Sequence, residues 1–182
     1  MADTATGRVA LFSIKPEYAT AILDGSKEVE FRRTSLASDV SHVVIYATSP
    51  VQRVVGTFEV AGVESALPAA LWTTYGRVGG IGLENYEDYF TGTDSAYAIK
   101  VRRPRSWAQP LTLDELSPGL RAPQSYQYLR DDALARIGPL LEPDPRRTLP
   151  ERLGRGLLAR VRAALPALAS EPREDGDPVP CR

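Results

Sequence analysis

Between Ser13 and Arg33 the chain reads SIKPEYATAILDGSKEVEFRR, and this stretch allows few architectures. It follows the short apolar run Val9–Phe12, so a strand leads into it. Pro16 fits the first turn of a helix, where its missing N–H is not needed, and Tyr18, Ala19, Ala21 and Ile22 give that helix an apolar face. Asp24-Gly25 ends it, with Gly25 suited to the left-handed cap. From Lys27 to Arg33 the pattern alternates as a strand does. Lys27, Val29, Phe31 and Arg33 share one face, and Glu28, Glu30 and Arg32 share the other. Strand, short helix and strand thus fit within about 25 residues, which leaves a charged Glu30/Arg32 face either in solvent or lining a cleft.

The remaining text continues in short elements. Val43–Ala47 is a continuous apolar run of strand length, expected to be buried on both faces and stopped by Thr48-Ser49-Pro50. Arg53–Val63 alternates as the next strand. Pro68–Tyr75 and Leu83–Phe90 read as helices around a flexible loop, Gly76–Gly82, that holds four glycines. Ser95–Arg103 is a strand, Asp114–Leu116 a short turn, and Arg121–Leu129 closes the domain. Beyond it, Arg130–Leu141 and Leu149–Leu168 are helical in pattern, the latter with leucines and a valine at helical steps between arginines. Residues 1–7 and 170–182 are polar and expected to be disordered.

Composition narrows the chemistry. Of 182 residues, 43% are hydrophobic, enough for one packed domain with an appendage. No apolar run is long enough to span a membrane, and the opening MADTATGR has no export pattern, so a cytoplasmic protein is expected. With His42 as the single histidine and Cys181 as the single cysteine, neither a zinc site nor a Ser-His-Asp device is expected. No cofactor is expected either. The formal net charge of −1 means that any basic surface is local. Lys15, Lys27 and Lys100 are the only lysines in an arginine-rich chain, and two of them fall in the opening segment.

Gly25-x-Lys27-x-x-Glu30-x-Arg32 resembles the GxKxxExR signature of the ASCH superfamily, domains related to PUA, EVE and YTH folds. Further blocks match in order: SIKPEYA, VVIYATSP, GTFEV, Leu71-Trp72, Tyr89-Phe90 with Gly92, AYAIKV, PLTL and APQSYQYL. The resemblance implies an α+β fold, a small PUA-like mixed β-barrel flanked by short helices, over residues 8–129. Residues 130–169 would form a C-terminal helical appendage, through whose helices a homodimer is one expectation.

The branch it resembles is known mostly as predicted nucleic-acid-binding regulators. The resemblance therefore implies a cleft that accepts a single base, modified or not, of single-stranded or locally opened DNA or RNA. Tyr46, Trp72, Tyr97 and Tyr126 are candidate stacking walls, and Ser13, Lys15, Ser49, Gln124 and Ser125 candidate base-edge partners. Lys27, Arg32, Arg33 and Arg53, beside Glu30, are candidate phosphate partners.

Two catalytic alternatives also come with the family, with Lys27 and Glu30 as candidate catalytic residues. Some members are similar to amidohydrolases that deacetylate N4-acetylcytidine with a Lys and a Thr three residues later; the second position is Glu30 here, so that nucleophile is missing. Others are ribonucleases on single-stranded RNA, for which Lys27 would stabilise phosphorane charge while a tyrosine or Glu30 moves protons. A non-catalytic reader is preferred on the missing Thr.

Overall fold

The structure is a computed structural model that describes residues 7–141. The elements are β1 (Arg8–Ile14), α1 (Pro16–Leu23), β2 (Val29–Arg32), β3 (Val40–Ala47), β4 (Arg53–Ala66), α2 (Pro68–Tyr75), α3 (Leu83–Phe90), β5 (Ala96–Leu111), α4 (Leu113–Leu116), β6 (Tyr126–Tyr128) and α5 (Asp131–Leu141). The leader before residue 7, the leucine-rich stretch 149–168, the polar tail with Cys181 and the part of the expected C-terminal extension beyond residue 141 lie outside the described residues.

Local chemistry sets these boundaries. Prolines open α1 and α2 at their first turns. Gly25, at φ +83°, takes the turn that ends α1. A capping box, in which the Thr112 hydroxyl accepts from the Glu115 N–H while the Glu115 carboxylate accepts from the Thr112 N–H, starts α4.

Six strands form one mixed sheet in the order β2-β5-β4-β3-β1-β6, curled into a half-barrel with short helices around it. Strands β1 and β3 run parallel, joined by the α1–β2 crossover, and every other pair is antiparallel. From Val43 to Ala47, β3 is buried on both faces, as its continuous apolar run implies. Each fully buried Val or Ile there contributes about 1.5–3 kcal/mol.

Three apolar clusters result. Inside the curl, Phe12, Val43, Ile45, Phe58 and Ile99 pack on Ala19 and Ile22 of α1. On the outer face, Leu11, Val44, Tyr46, Val54 and Trp107 pack on Leu116 of α4 and on Ala133 and Ile137 of α5. Flanking β2 and β5, Val29, Phe31, Ala96 and Ala98 pack on Leu71 of α2 and on Tyr86 and Phe90 of α3. Residues 131–141, the first part of the expected C-terminal extension, thus build part of a core.

Two local expectations change. The strand that begins at Ala96 does not stop at Arg103; it continues through Pro104 to Leu111. A register shift opposite Thr57–Glu59 accommodates the proline, since a bulge is where a strand tolerates a missing N–H. The glycine loop is packed as well. A Cβ on Gly79 would lie 2.4 Å from the Phe31 ring, and one on Gly80 (φ +61°) 2.9 Å from Cβ of Lys27. These glycines allow the backbone to lie directly on β2 and the Lys27 stem.

Candidate functional site

The outermost strands of the curled sheet are β2 and β6, and among the described residues no backbone ladder joins them. Side chains bridge the gap. Arg32, at the end of β2, donates from Nη1 to the carbonyl oxygen and the Oγ of Ser125, both at 3.3 Å, and from Nη2 to the Ser13 carbonyl at 3.1 Å. Ser13 is tied to the same segment: its N–H donates to the Ser125 carbonyl and its hydroxyl to the Pro123 carbonyl, at 3.1 and 2.6 Å. The Arg32 guanidinium also lies 4.3 Å from the centre of the Phe12 ring.

Behind this bridge the charges are buried. Lys27, Glu30 and Arg32 are only 2%, 6% and 6% exposed. Glu30 Oε1 lies 2.9 Å from Arg32 Nη2, and its Oε2 lies 3.4 Å from Lys27 Nζ. Lys27 Nζ also donates to the Gly79 carbonyl, and it sits 5.4 Å from the centre of the Tyr18 ring and 5.5 Å from that of Phe31. The Glu30/Arg32 face therefore points into the protein at the seam. One carboxylate serves two cations, so the cluster carries +1 whenever Lys27 is protonated. Burial pushes the Lys27 pKa below its ordinary value; Glu30 opposes that and Arg32 adds to it. Arg32 Nε is buried and donates to no partner among the described residues, a cost of about 1–3 kcal/mol for an orphaned donor.

The other candidates distribute around this centre. The register sets Tyr97 opposite Arg32 on β5, and Tyr46 beside Ser13 on β3. Tyr46 is buried in the outer-face cluster. Tyr126 leans on Phe12, with centroids 5.4 Å apart, and its hydroxyl donates to the Ser35 carbonyl. Gln124, Lys15 and Ser49 are exposed. Gln124 lies between the two residues that hold Ser13, whereas Lys15 and Ser49 follow the neighbouring ends of β1 and β3. Three candidates have other attachments. Arg33 is bonded to Thr93 Oγ1 and the Thr91 carbonyl, Arg53 is exposed and donates to the Gln52 carbonyl, and Trp72 packs on Tyr86 at 4.8 Å.

Sequence reasoning did not single out Tyr18, Gly79, Gly80 or Tyr89. Tyr89 is near enough to Glu30 and Arg32 for both to act on its phenol, whose pKa burial raises. Its signal was there to read, since α3 already buries Tyr86 and Phe90 and leaves Tyr89 a third exposed. A surface cavity of about 540 Å³, lined by residues between Ser117 and Ala133, includes none of the Lys27–Glu30–Arg32 cluster. Among the described residues no group of three or more His, Cys, Asp or Glu side chains could hold a metal ion, and no helix is long and apolar enough to cross a membrane.

Comparison with known proteins identifies the domain family. The ASCH domain profile matches residues 12–105. A protein of Zymomonas mobilis subsp. mobilis, named an ASCH domain-containing ribonuclease, is 34% identical over 141 residues, 75% of this chain and 95% of that protein. The crystal structure of ASCH from Zymomonas mobilis has a TM-score of 0.68 at 34% identity, covering 72% of this chain and 94% of that one. A tyrosine-to-phenylalanine variant from the same organism gives 0.66 at 33% identity, covering 72% and 97%.

Proposed function

Because the chain belongs to the ASCH domain family, we infer that it binds single-stranded RNA along the seam between β2 and β6 and cleaves it there. The observation that carries this reading is Arg32. It is a buried guanidinium with an unused N–H, held against the two serines that line the seam. A guanidinium suits a phosphate because its donors form a planar fork. The relative named a ribonuclease, with which the chain aligns over 95% of that protein's length, supports the choice of RNA.

In the proposed reaction the ribose 2′-oxygen attacks the adjacent phosphorus and the bond to the 5′-oxygen breaks. One group takes the 2′-hydroxyl proton and another protonates the departing 5′-oxygen, leaving a cyclic phosphate. Arg32 faces the charge that builds on phosphorus. Glu30 is engaged by both cations, Lys27 and Arg32. We assign it, with Lys27, to positioning Arg32. Tyr46, beside Ser13, and Tyr89, near Arg32, are the candidates for moving protons. Lys15 and Gln124 form an exposed rim for the strand, and Tyr97 and Tyr126 offer ring faces to a base.

One observation favours a second reading, a base reader without turnover: Lys27 is sealed under Gly79 and Gly80 and already ion-paired, as in a scaffold. The amide-hydrolysis route finds no support in Glu30, which stands where a nucleophile is needed.

The test is incubation of the full chain with a single-stranded RNA and with the same oligonucleotide carrying one 2′-deoxy sugar. A cyclic-phosphate product that disappears at the deoxy position establishes the ribonuclease. Saturable binding with intact RNA establishes the reader. Absence of binding overturns both.

A further inference from the structure

A second cluster of cations lies outside the seam. Strand β5 carries Arg102, Arg103 and Arg105, and all three turn toward one carboxylate, Glu59 of β4. Arg102 Nε is 3.0 Å from Glu59 Oε2, Arg103 Nη1 is 3.3 Å from Oε1, and Arg105 Nη2 is 3.9 Å from Oε1. In a regular strand, successive side chains point to opposite faces, so Arg102 and Arg103 could not both reach Glu59. The bulge makes it feasible. Glu59 pairs with Arg102 and Thr57 with Arg105, so β4 uses one residue, Phe58, where β5 uses two, Arg103 and Pro104. Arg103 takes φ +46°, a left-handed conformation that a residue with a Cβ adopts only at a cost.

The cluster is built and still open. Glu59 is 12% exposed, whereas the Arg102 and Arg103 side chains are 58% and 63% exposed. Three guanidinium groups around one carboxylate leave a local charge of +2. Glu59 cannot occupy every donor that two outward-facing guanidinium groups present. Across the sheet, Glu59 pairs with His42, four residues before Tyr46 on the same face of β3. That separates the cluster from the Tyr46 position by about 13 Å at 3.3 Å per residue.

We propose that Arg102 and Arg103, with Arg105 behind them, form a second contact for the phosphate backbone of single-stranded RNA, with Glu59 holding them in register until phosphates arrive. The bulge aims the guanidinium groups, and sequence-independent phosphate contacts are what such groups supply. The proposal rests on the reading that the chain handles RNA and extends its footprint beyond the seam.

Binding of the full chain to RNA oligonucleotides of about 4 and about 16 nucleotides, across a salt series, tests it. The double substitution Arg102→Gln/Arg103→Gln is expected to weaken the longer RNA about tenfold at low salt. It should also flatten the slope of log K against log salt by about 1.4, the change for two phosphate contacts on a single strand, and leave the shorter RNA unchanged. Glu59→Gln, which removes the internal competitor, should tighten the longer RNA. Circular dichroism and thermal melts of each variant exclude a folding artefact. Unchanged binding of the longer RNA by the folded double variant overturns the second contact while leaving the seam reading intact. The second contact also falls if poly-glutamate, and not RNA, is what the double variant loses, which would assign the cluster to an acidic protein partner. If the unsubstituted chain binds neither RNA, the seam reading fails and the second contact with it.

Discussion

Two ionic clusters in this domain share a plan and differ in their solvent. At the seam, Glu30 serves Lys27 and Arg32, with every member below a tenth exposed; on the bulge, Glu59 serves three arginines, two of them more than half exposed. The same Coulomb attraction has different consequences in each place. Removing a partner from a buried set leaves a charge that neither water nor protein compensates. Removing one from an exposed set lets water and salt take its place. The buried seam cluster therefore tolerates the loss of a member far less than the exposed bulge cluster does.

The largest effect that would break this contrast is on stability. Glu30→Gln should cost about 3–5 kcal/mol in urea unfolding, because two buried cations lose their shared counter-charge. A loss under about 1 kcal/mol would mean that the seam behaves like the surface. Arg32→Lys keeps the charge but removes the fork. It should lower RNA cleavage at least about tenfold, with a smaller loss of stability of about 1–2 kcal/mol, read from single-turnover rates and the same unfolding curves.

Alkaline pH sharpens the comparison. The folded state depresses Lys27 below the ordinary lysine value of 10.5, so in the window between the two values the unfolded chain binds more protons than the folded one. Stability contributed by this group therefore rises with pH through that window, as the cost of a buried ammonium is relieved. Relative to Lys27→Met, the unsubstituted chain should gain stability as pH climbs toward 10; a flat difference would show that Lys27 is not desolvated. Tyr86 acts above that range in the opposite sense, since burial raises its phenol to about 12 and folding then resists its ionisation. The smallest effect belongs to Glu59→Gln, a loss of about 1 kcal/mol or less that should fade in high salt.

Much of this domain could be read directly from the chain. Pro16, Pro68 and Gly25 mark helix ends by backbone chemistry alone, and the apolar run at Val43–Ala47 reports burial on both faces without any partner being known. The alternation at Glu28–Arg33 also placed Glu30 and Arg32 together. Whether they faced solvent was undecidable locally, because the groups that bury them are distant: Ser125 is 93 residues from Arg32, and Gly79 is 52 from Lys27. The glycine loop read as flexible for the same reason, since glycine permits both a mobile loop and a close approach. The strand is legible only as far as Arg103 because the bulge that carries it through Pro104 depends on β4. Tyr18 and Tyr89 became relevant once α1 and α3 packed beside β2 and Lys27.

The seam has one further consequence. Strand pairs elsewhere in the sheet part only by breaking a ladder of backbone bonds, whereas β2 and the segment leading into β6 are laced by a few side-chain contacts centred on Arg32. The barrel is thus mechanically uneven, stiff around most of its circumference and compliant along one line. Under the proposed function, the widening that admits a nucleotide would fall on that line and need not unfold any strand.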